Sequence, residues 1–292
     1  MSNIIQQLIN GIILGSVYAL LALGYTMVYG IIKLINFAHG DVYMLGAYFG
    51  YFFIQVLHLN FFIALVLSMA VSALLGMLIE FVAYRPLRHS PRIAVLISAL
   101  GVSFLLENGM SYFYGSDKKA FPQAIRTIQY HIGSLQISNI QLLIISTAIT
   151  LMILLTIIVQ KTKMGRAMRA VSADQEAAIL MGIDVNQTIS FTFAIGSALA
   201  AAGGVLIGLY YNNIDPLMGM TPGIKAFVAA VLGGIGLIPG AALGGWLIGI
   251  LETMTQAIGL SDYKDAVVYA ILIIILLFKP TGILGKNKRE KV

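Results

Sequence analysis

Long apolar runs, separated by short polar segments, dominate this chain of 292 residues. The sequence is 59% hydrophobic and 10% charged, which leaves too few polar side chains to cover a water-soluble globule of this length. A helix needs about 20 apolar residues to cross a bilayer core of about 30 Å, and several runs reach that length. The alternating pattern of a transmembrane barrel is absent. We therefore predict an all-α, polytopic membrane protein that forms a single transmembrane domain over residues 1–292.

The apolar runs predict about eight transmembrane helices plus broken or re-entrant segments. Pro239, flanked by Gly236 and Gly240, interrupts the run Ala226–Leu251, because proline removes a backbone donor and breaks helical hydrogen bonding. This run either dips into the membrane and returns or crosses it twice. The other predicted spans are Leu8–Ile32, Leu34–Leu57, Phe61–Tyr84, Ile93–Tyr114, Ile140–Val159, Ile189–Tyr211 and Ala266–Phe278.

Basic residues gather on one predicted side of the membrane, and lysine and arginine are enriched in cytoplasmic loops. The amino terminus has no basic side chain before Lys33 and is predicted to lie outside. The loop Gly115–Asn139 then faces outward, and the segment 161–187 lies in the cytoplasm. The residues assigned to the cytoplasmic side are Lys33, Arg85, Arg88, Arg92, Lys161, Lys163, Arg166, Arg169, Lys279, Lys286, Lys288, Arg289 and Lys291.

The cytoplasmic segment 161–187 is polar but favours a helix, since residues 165–181 lack proline and are rich in good helix formers. Ser172 or Asp174 is available as the cap of a shorter helical piece that ends at Gly182. Two interpretations remain open at this point. The segment either docks on a cytoplasmic partner or lies as an amphipathic helix on the membrane surface.

A small apolar patch within this segment is the predicted contact with such a partner. Ala177, Ala178 and Met181 would fit a groove on a cytoplasmic protein. The charged rim predicted around the patch comprises Arg166, Arg169, Asp174 and Glu176.

Polar residues in apolar sequence mark candidate positions along a translocation pathway, because polar groups in a membrane usually face a neighbour or a wet cavity. The fragment INFAHGD contains Asn36, His39 and Asp41, and Glu107 lies deep in a predicted span. INFAHGD is either a permeation or gating element or a cytoplasmic turn whose polar groups meet water and cap the second helix. One histidine and one aspartate at this spacing make a poor ligand set, so we predict no metal site.

Small residues recur every four positions in two regions, which places them on one helix stripe and lets backbones approach closely. We predict that these stripes pack helices together, with a subunit interface or a pore lining as the alternative. The fragments GSVYALLALG and GSALAAAGG also form a faint internal echo, as two structural repeats in a transporter would. The helix-packing candidates are Gly196, Gly204, Gly208, Gly236, Gly240 and Gly244.

The sequence gives little support for catalysis, and no nucleic-acid partner is expected. No GxSxG, HExxH or CxxC pattern occurs, and the phosphate-binding motif GxxxxGK[ST] is also absent. We therefore predict that the chain is not an enzyme and has no catalytic residues. Any ATP hydrolysis must occur on another polypeptide.

Several fragments carry a resemblance to a known family. Glu176-Ala177-Ala178 followed by Gly182 is similar to the EAA-xxx-G coupling motif of ABC importer permeases. A wider resemblance covers nearly the whole chain and identifies it with the permease subunits of bacterial high-affinity branched-chain amino acid importers. The fragments that carry it are GSVYALLALGYTMVYGIIKLINFAHGDVYMLGAY, AYRPLR, MGRAMRA, KAFVAAVLGGIGLIPGAALGG, YKDAVVYA and KPTGILG.

This resemblance implies a fold of the vitamin B12 importer type in the inner membrane of a bacterium. It also implies a second homologous permease subunit, two cytoplasmic ATPases that bind ATP and Mg, and a periplasmic protein that delivers leucine, isoleucine or valine. The helix around Ser172–Gly182 is then the coupling element, and this chain binds no cofactor itself. The alternatives are a permease of the same family for urea or short amides and a self-sufficient channel or secondary carrier.

Overall fold

The structure is a computed structural model that describes residues 2–88, 90–133 and 135–285. The predicted basic residues Lys286, Lys288, Arg289 and Lys291 lie outside the described residues. The helices are α1 (Ser2–Ile32), α2 (His39–Gln55), α3 (Phe61–Ile79), α4 (Arg92–Tyr114), α5 (Asn139–Lys161), α6 (Lys163–Ala173), α7 (Gln175–Leu180), α8 (Val185–Tyr211), α9 (Met220–Gly233), α10 (Ile238–Ala257) and α11 (Lys264–Phe278). The strands are β1 (Lys119–Ala120), β2 (Gln129–Ile132), β3 (Leu135–Ser138) and β4 (Asn213–Ile214).

The helices form a bundle, and the strands only tie its loops together. β1 pairs antiparallel with β4, and β2 pairs antiparallel with β3. A π-helical turn at Glu80–Tyr84 and a 3-10 turn at Arg85–Leu87 extend α3. Among the described residues, five helices are long and apolar enough to cross a membrane: α1, extended α3, α4, α5 and α8. This agrees with the predicted polytopic helical membrane protein.

The two central helices are α1 and α8, and the two most peripheral spans are α4 and α5. In the most apolar part of each helix, 89% of α1 and of α8 is buried, against 11% of α4 and 22% of α5. A helix that is apolar all round must be surrounded either by protein or by lipid. Helices α4 and α5 therefore present the apolar surface that the bilayer requires.

Two halves of the bundle have the same arrangement of helices, but the helices of one half run in the opposite direction to those of the other. Helix α1 packs along α10, and α8 packs along α3. Helices α1 and α8 run antiparallel, since Gly196 lies against Gly24 and Val28 while Gly203 lies against Leu21. The units α1–α2–α3 and α8–α9–α10 thus form an inverted repeat of the kind found in many transporters. The similar fragments GSVYALLALG and GSALAAAGG lie in α1 and α8, the first helices of the two units.

Each repeat contains the same break between its first two helices. α1 ends before Lys33 (φ 54) and α8 ends at Asn212 (φ 55), so both helices stop at a residue in the left-handed conformation. The predicted span Leu34–Leu57 is wrong at its start, because residues 33–38 are not helical and α2 begins only at His39. His39 packs against Gly24, about 13 Å back along α1 at 1.5 Å per residue. Residues 33–38 therefore form a strap that returns into the bundle.

The predicted interruption near Pro239 is confirmed. α9 ends at Gly233, and Gly234 (φ 108) and Gly236 (φ 91) make the turn that α10 follows. Pro239 lies in the first turn of α10, where a backbone N–H would have no partner within the helix, so proline breaks no helical hydrogen bond there. The broken run thus consists of two separate helices that pack against each other.

α10 follows α1 along its whole length. The Thr253 hydroxyl donates to the carbonyl oxygen of Gln7 over 3.2 Å at one end, and Gly236 approaches Gly30 at the other. The two helices are therefore antiparallel neighbours that reach the same two levels of the bundle.

The glycine stripes pack helices, with one exception. A β-carbon on Gly204 would meet the Tyr43 carbonyl of α2, and one on Gly244 would meet the Ala229 carbonyl of α9. Gly236 is the exception, because no atom lies within 4 Å of a β-carbon built there. Gly236 supplies the positive φ of the turn before α10, and its backbone approaches Gly30 of α1. The candidates that do sit at close helix or loop contacts are Gly196, Gly204, Gly208, Gly240 and Gly244.

Candidate functional site

A cavity of about 180 Å³ opens where α2, α4 and α9 meet. Its position follows from the inverted repeat, because the first turns of α2 and α9 abut at this point. Gly40 lies against the backbone of Gly219 and Gly223, so the two helix starts approach without intervening side chains. The lining residues are Tyr25, Ile35, Phe37, Gly40, Asp41, Leu100, Ser103, Phe104, Glu107, Gly219, Met220, Gly223, Ile224 and Phe227.

Asp41 and Glu107, two of the four predicted pathway residues, share this cavity. The Asp41 side chain is 2% exposed, and its Oδ2 atom has no hydrogen-bond partner among the described residues. Its polar neighbours are Ser103 and Glu107 of α4, and Glu107 is half-buried. The cavity thus combines two carboxylates with walls that are mostly apolar.

The other two predicted pathway residues, Asn36 and His39, do not line this cavity. Asn36 accepts a hydrogen bond of 2.9 Å from the hydroxyl of Tyr84, which ties the strap to the end of α3. The ring of His39 packs edge-on against Tyr25, with centroids 4.6 Å apart. Both side chains are buried, and α2 begins without a side-chain cap. INFAHGD is therefore not a solvated turn.

A second polar cluster, which the sequence did not reveal, joins four helices. The ammonium of Lys225 on α9 lies 2.8 Å from a carboxylate oxygen of Glu252 on α10 and 2.6 Å from one of Asp265 on α11. The Tyr18 hydroxyl on α1 donates to Glu252 over 2.8 Å. Glu252 is 3% exposed, so protein encloses its carboxylate. Its partners are far apart in the sequence, and only packing brings them together.

The lysine cluster borders a separate cavity of about 270 Å³. Lys264 adds a fourth charge, 3.4 Å from Glu252. Two lysines and two carboxylates balance each other there, and Lys225 is itself paired twice. Each charged group of this cluster therefore has a neighbour of opposite charge. The carboxylates of Asp41 and Glu107 have no lysine or arginine beside them among the lining residues of their cavity.

The predicted coupling segment folds as two short helices and not as one. Asp174 separates α6 from α7 and caps α7 by accepting from the Ala177 backbone N–H over 3.0 Å. Of the two predicted caps, Asp174 is therefore the correct one. Ser172 lies inside α6, where its hydroxyl donates to the carbonyl oxygen of Gly30 over 2.6 Å. Gly182 follows α7 with φ 77, as predicted for the end of the shorter piece.

The exposed apolar surface of this segment differs from the predicted patch. Ala178 is 3% exposed and faces the bundle, so its inclusion in the patch is wrong. Ile179, Leu180 and Met181 are 60%, 88% and 82% exposed. They stand at the end of α7, directly before the turn at Gly182.

The charged residues of the predicted rim also divide between two roles. Arg169 donates to the carbonyl oxygen of Val159 and so links α6 to the end of α5. Arg166 and Glu176 are exposed and remain available to a partner. A groove of about 510 Å³ beneath α7 separates this segment from Arg88 and the start of α8.

Comparison with known families supports a membrane transport role. Residues 7–276 match the family model described as the branched-chain amino acid transport system permease component. The chain belongs to this family. The resemblance stated from sequence fragments is thereby confirmed over nearly the whole chain.

Several relatives in this family are similar over nearly their full length. The chain is 45% identical to the high-affinity branched-chain amino acid transport system permease protein LivH of Escherichia coli (strain K12), covering 99% of this chain and 97% of the relative. It is 45% identical to BraD of Pseudomonas aeruginosa, with coverage of 99% and 98%. A probable LivH of Methanocaldococcus jannaschii is 29% identical, with coverage of 96% and 92%. No solved structure matches the chain.

Proposed function

We propose that this chain is the permease subunit of an ABC importer that carries leucine, isoleucine and valine across the inner membrane of a bacterium. The 45% identity to LivH and BraD over nearly the full length of each protein carries this proposal. The inverted repeat and the cytoplasmic helices α6 and α7 supply the two parts such a protein needs: a membrane pathway and a surface for a motor.

The proposed complex contains three other subunits, and a separate binding protein supplies it with substrate. A homologous second permease subunit, LivM-like, pairs with this chain, and two cytoplasmic ATPases bind ATP and Mg. A periplasmic protein delivers the amino acid from outside. This chain then works without a cofactor and without hydrolysing ATP, because the sequence contains no phosphate-binding motif.

Within the membrane we assign α9 and α10 to two crossings. α10 accompanies α1 from end to end, and α9 leads from the cavity to the level of the Gly30 end of α1. If α1 enters from outside, this assignment has α6, α7 and the end of α11 on the cytoplasmic side, in agreement with the positive-inside rule. The fold is proposed to be that of the vitamin B12 importer type.

Force from the ATPases would reach the cavity through a short physical route. Residues Leu180 and Met181 offer the motor an apolar contact, and Ser172 joins α6 to Gly30 at the end of α1. The strap 33–38 continues from that end directly to Asp41. The motor can drive transport only if it binds two permease states with different free energies, and this route lets movement of α6 and α7 change the strap.

Reconstitution tests this function. Proteoliposomes are made with this chain, its second permease subunit and its ATPases, and the binding protein is added outside. They should take up radiolabelled leucine when the ATPases face the lumen and ATP is enclosed there. The chain alone should take up none. Leucine uptake by the chain alone would establish a self-sufficient carrier instead, and uptake of urea or acetamide in preference to leucine would establish the amide permease.

Two substitutions test the coupling segment in the same system. Glu176→Lys reverses an exposed charge of α7, and Gly182→Val strains the positive φ that ends it. Both variants should insert in the membrane normally and lose ATPase attachment or transport. Unchanged transport in both would contradict the assignment of α6 and α7 as the coupling element.

A further inference from the structure

We propose that the cavity between α2, α4 and α9 binds a free aliphatic amino acid, with the carboxylates of Asp41 and Glu107 holding its ammonium group. This inference rests on the proposed function and adds to it a substrate site inside the membrane subunit. Asp41 is a binding residue in this proposal because it lines the cavity and one of its carboxylate oxygens has no hydrogen-bond partner among the described residues.

The electrostatics of the cavity call for a positive ligand. Asp41 is 2% exposed, and no lysine or arginine lines the cavity among the described residues. A buried carboxylate is strongly destabilised unless it is paired and hydrogen-bonded. A second carboxylate, Glu107, adds like charge at the same place. A cation or a proton must therefore accompany this pair, and an ammonium group can donate hydrogen bonds to both carboxylates at once.

The walls of the cavity favour an alkylammonium over a bare metal ion. The lining offers few oxygen atoms besides Asp41, Ser103 and Glu107, whereas calcium takes six to eight oxygen ligands and magnesium demands a near-ideal octahedron. A metal ion would also leave the apolar walls unused. Those walls suit a branched aliphatic side chain, and they consist of Ile35, Phe37, Leu100, Phe104, Met220, Ile224 and Phe227.

The position of the cavity supports the same conclusion. It lies where the two inverted repeats meet, and the starts of α2 and α9 abut there through Gly40, Gly219 and Gly223. Interrupted helices at the interface of such repeats commonly form substrate sites in transporters. The start of α9, bordering the cavity at Met220, carries the positive end of the helix dipole. This end favours the carboxylate of a zwitterionic amino acid.

A ligand series on the unmodified complex tests the ammonium contact without any substitution. The purified complex of this chain with its second permease subunit and ATPases, free of binding protein, is titrated with radiolabelled leucine. Isopentylamine keeps the ammonium and alkyl groups of leucine, and 2-hydroxy-4-methylpentanoate replaces the ammonium with a hydroxyl. Isopentylamine should compete with leucine, and the hydroxy acid should compete at least about tenfold more weakly than leucine itself. Equal competition by leucine and the hydroxy acid would overturn the proposal.

Two substitutions locate the contact. Asp41→Asn and Glu107→Gln remove one negative charge each at nearly constant size, and both should weaken leucine binding by about 10- to 100-fold. Asp262→Asn is the matched control, because Asp262 is exposed in the turn before α11, and it should bind leucine as the unmodified complex does. Glu107 is half-buried, so Glu107→Gln carries the test if the Asp41 variant does not assemble.

The outcome separates this inference from the proposed function. If the unmodified complex transports no branched-chain amino acid, the proposed function fails. If it transports leucine and the Glu107 variant binds leucine with unchanged affinity, only the carboxylate site fails.

Discussion

Lys225 on α9 lies 2.8 Å from Glu252 on α10, and both side chains are almost fully buried. Asp265 of α11 and Tyr18 of α1 complete the contacts of this pair. Four helices that are distant in the sequence are thus joined by one polar cluster inside the membrane domain. Charges in such surroundings are stable only in each other's presence.

Lys225→Met should destabilise the protein strongly, because it removes the nearest and most buried cation from Glu252 and leaves that carboxylate with only the more distant Lys264. We expect a loss of about 3–5 kcal/mol in the free energy of unfolding, as is typical when one partner of a buried pair is removed. Unfolding in mixed detergent micelles measures it. Lys264→Met is the control, since Lys264 is more exposed and lies 3.4 Å from Glu252, and it should change stability by less than about 1 kcal/mol. Similar effects of both substitutions would contradict a special role for Lys225.

Gly204 and Gly101 should respond to alanine with opposite signs. Both lie inside helices, where alanine is favoured over glycine by about 0.5–1 kcal/mol. A β-carbon at Gly204 would overlap the carbonyl of Tyr43, whereas one at Gly101 meets no atom within 4 Å. Gly101→Ala should therefore raise thermal stability slightly, and Gly204→Ala should lower it by about 1–3 kcal/mol through overpacking. Equal effects would show that α2 and α8 can separate freely.

Much of this fold could be predicted from local sequence because hydropathy reports membrane helices directly. The long spans were found with small errors in their ends, and Pro239 correctly indicated the break between α9 and α10. The start of α2 was missed for a physical reason. The strap 33–38 is as apolar as the helix that follows, so composition cannot distinguish an extended segment inside the bundle from another helical turn.

The candidate site was only partly predictable, because its decisive features are tertiary. Asp41 and Glu107 were both noticed as polar residues in apolar sequence, but their shared cavity depends on the packing of α2 against α4. His39 has the same sequence signal and proves to be a packing residue against Gly24. Polarity in a membrane span therefore identifies buried polar groups without saying which of them face a ligand.

Leu180→Asp should weaken attachment of the ATPase subunits. Leu180 is 88% exposed at the end of α7, and a central apolar contact in an interface commonly contributes about 2 kcal/mol or more. A charge there should reduce ATPase affinity at least about tenfold, measured by co-purification at graded ATPase concentrations. Ile128→Asp is the control, because Ile128 is an exposed apolar residue of the predicted outer loop. Loss of attachment in the control variant would indicate general misfolding instead.

Ser172→Ala should separate ATPase binding from transport. The Ser172 hydroxyl donates to the Gly30 carbonyl oxygen over 2.6 Å and is a direct link between α6 and the end of α1. Removing it costs about 0.5–1.5 kcal/mol and leaves the exposed surface of α7 unchanged, so ATPase attachment should persist. Leucine transported per ATP hydrolysed should fall, because movement of α6 is then transmitted less completely to the strap. Ser146→Ala is the matched control, since Ser146 donates only within α5, to the carbonyl oxygen of Leu143. An unchanged transport ratio in the Ser172 variant would contradict the proposed route through Gly30.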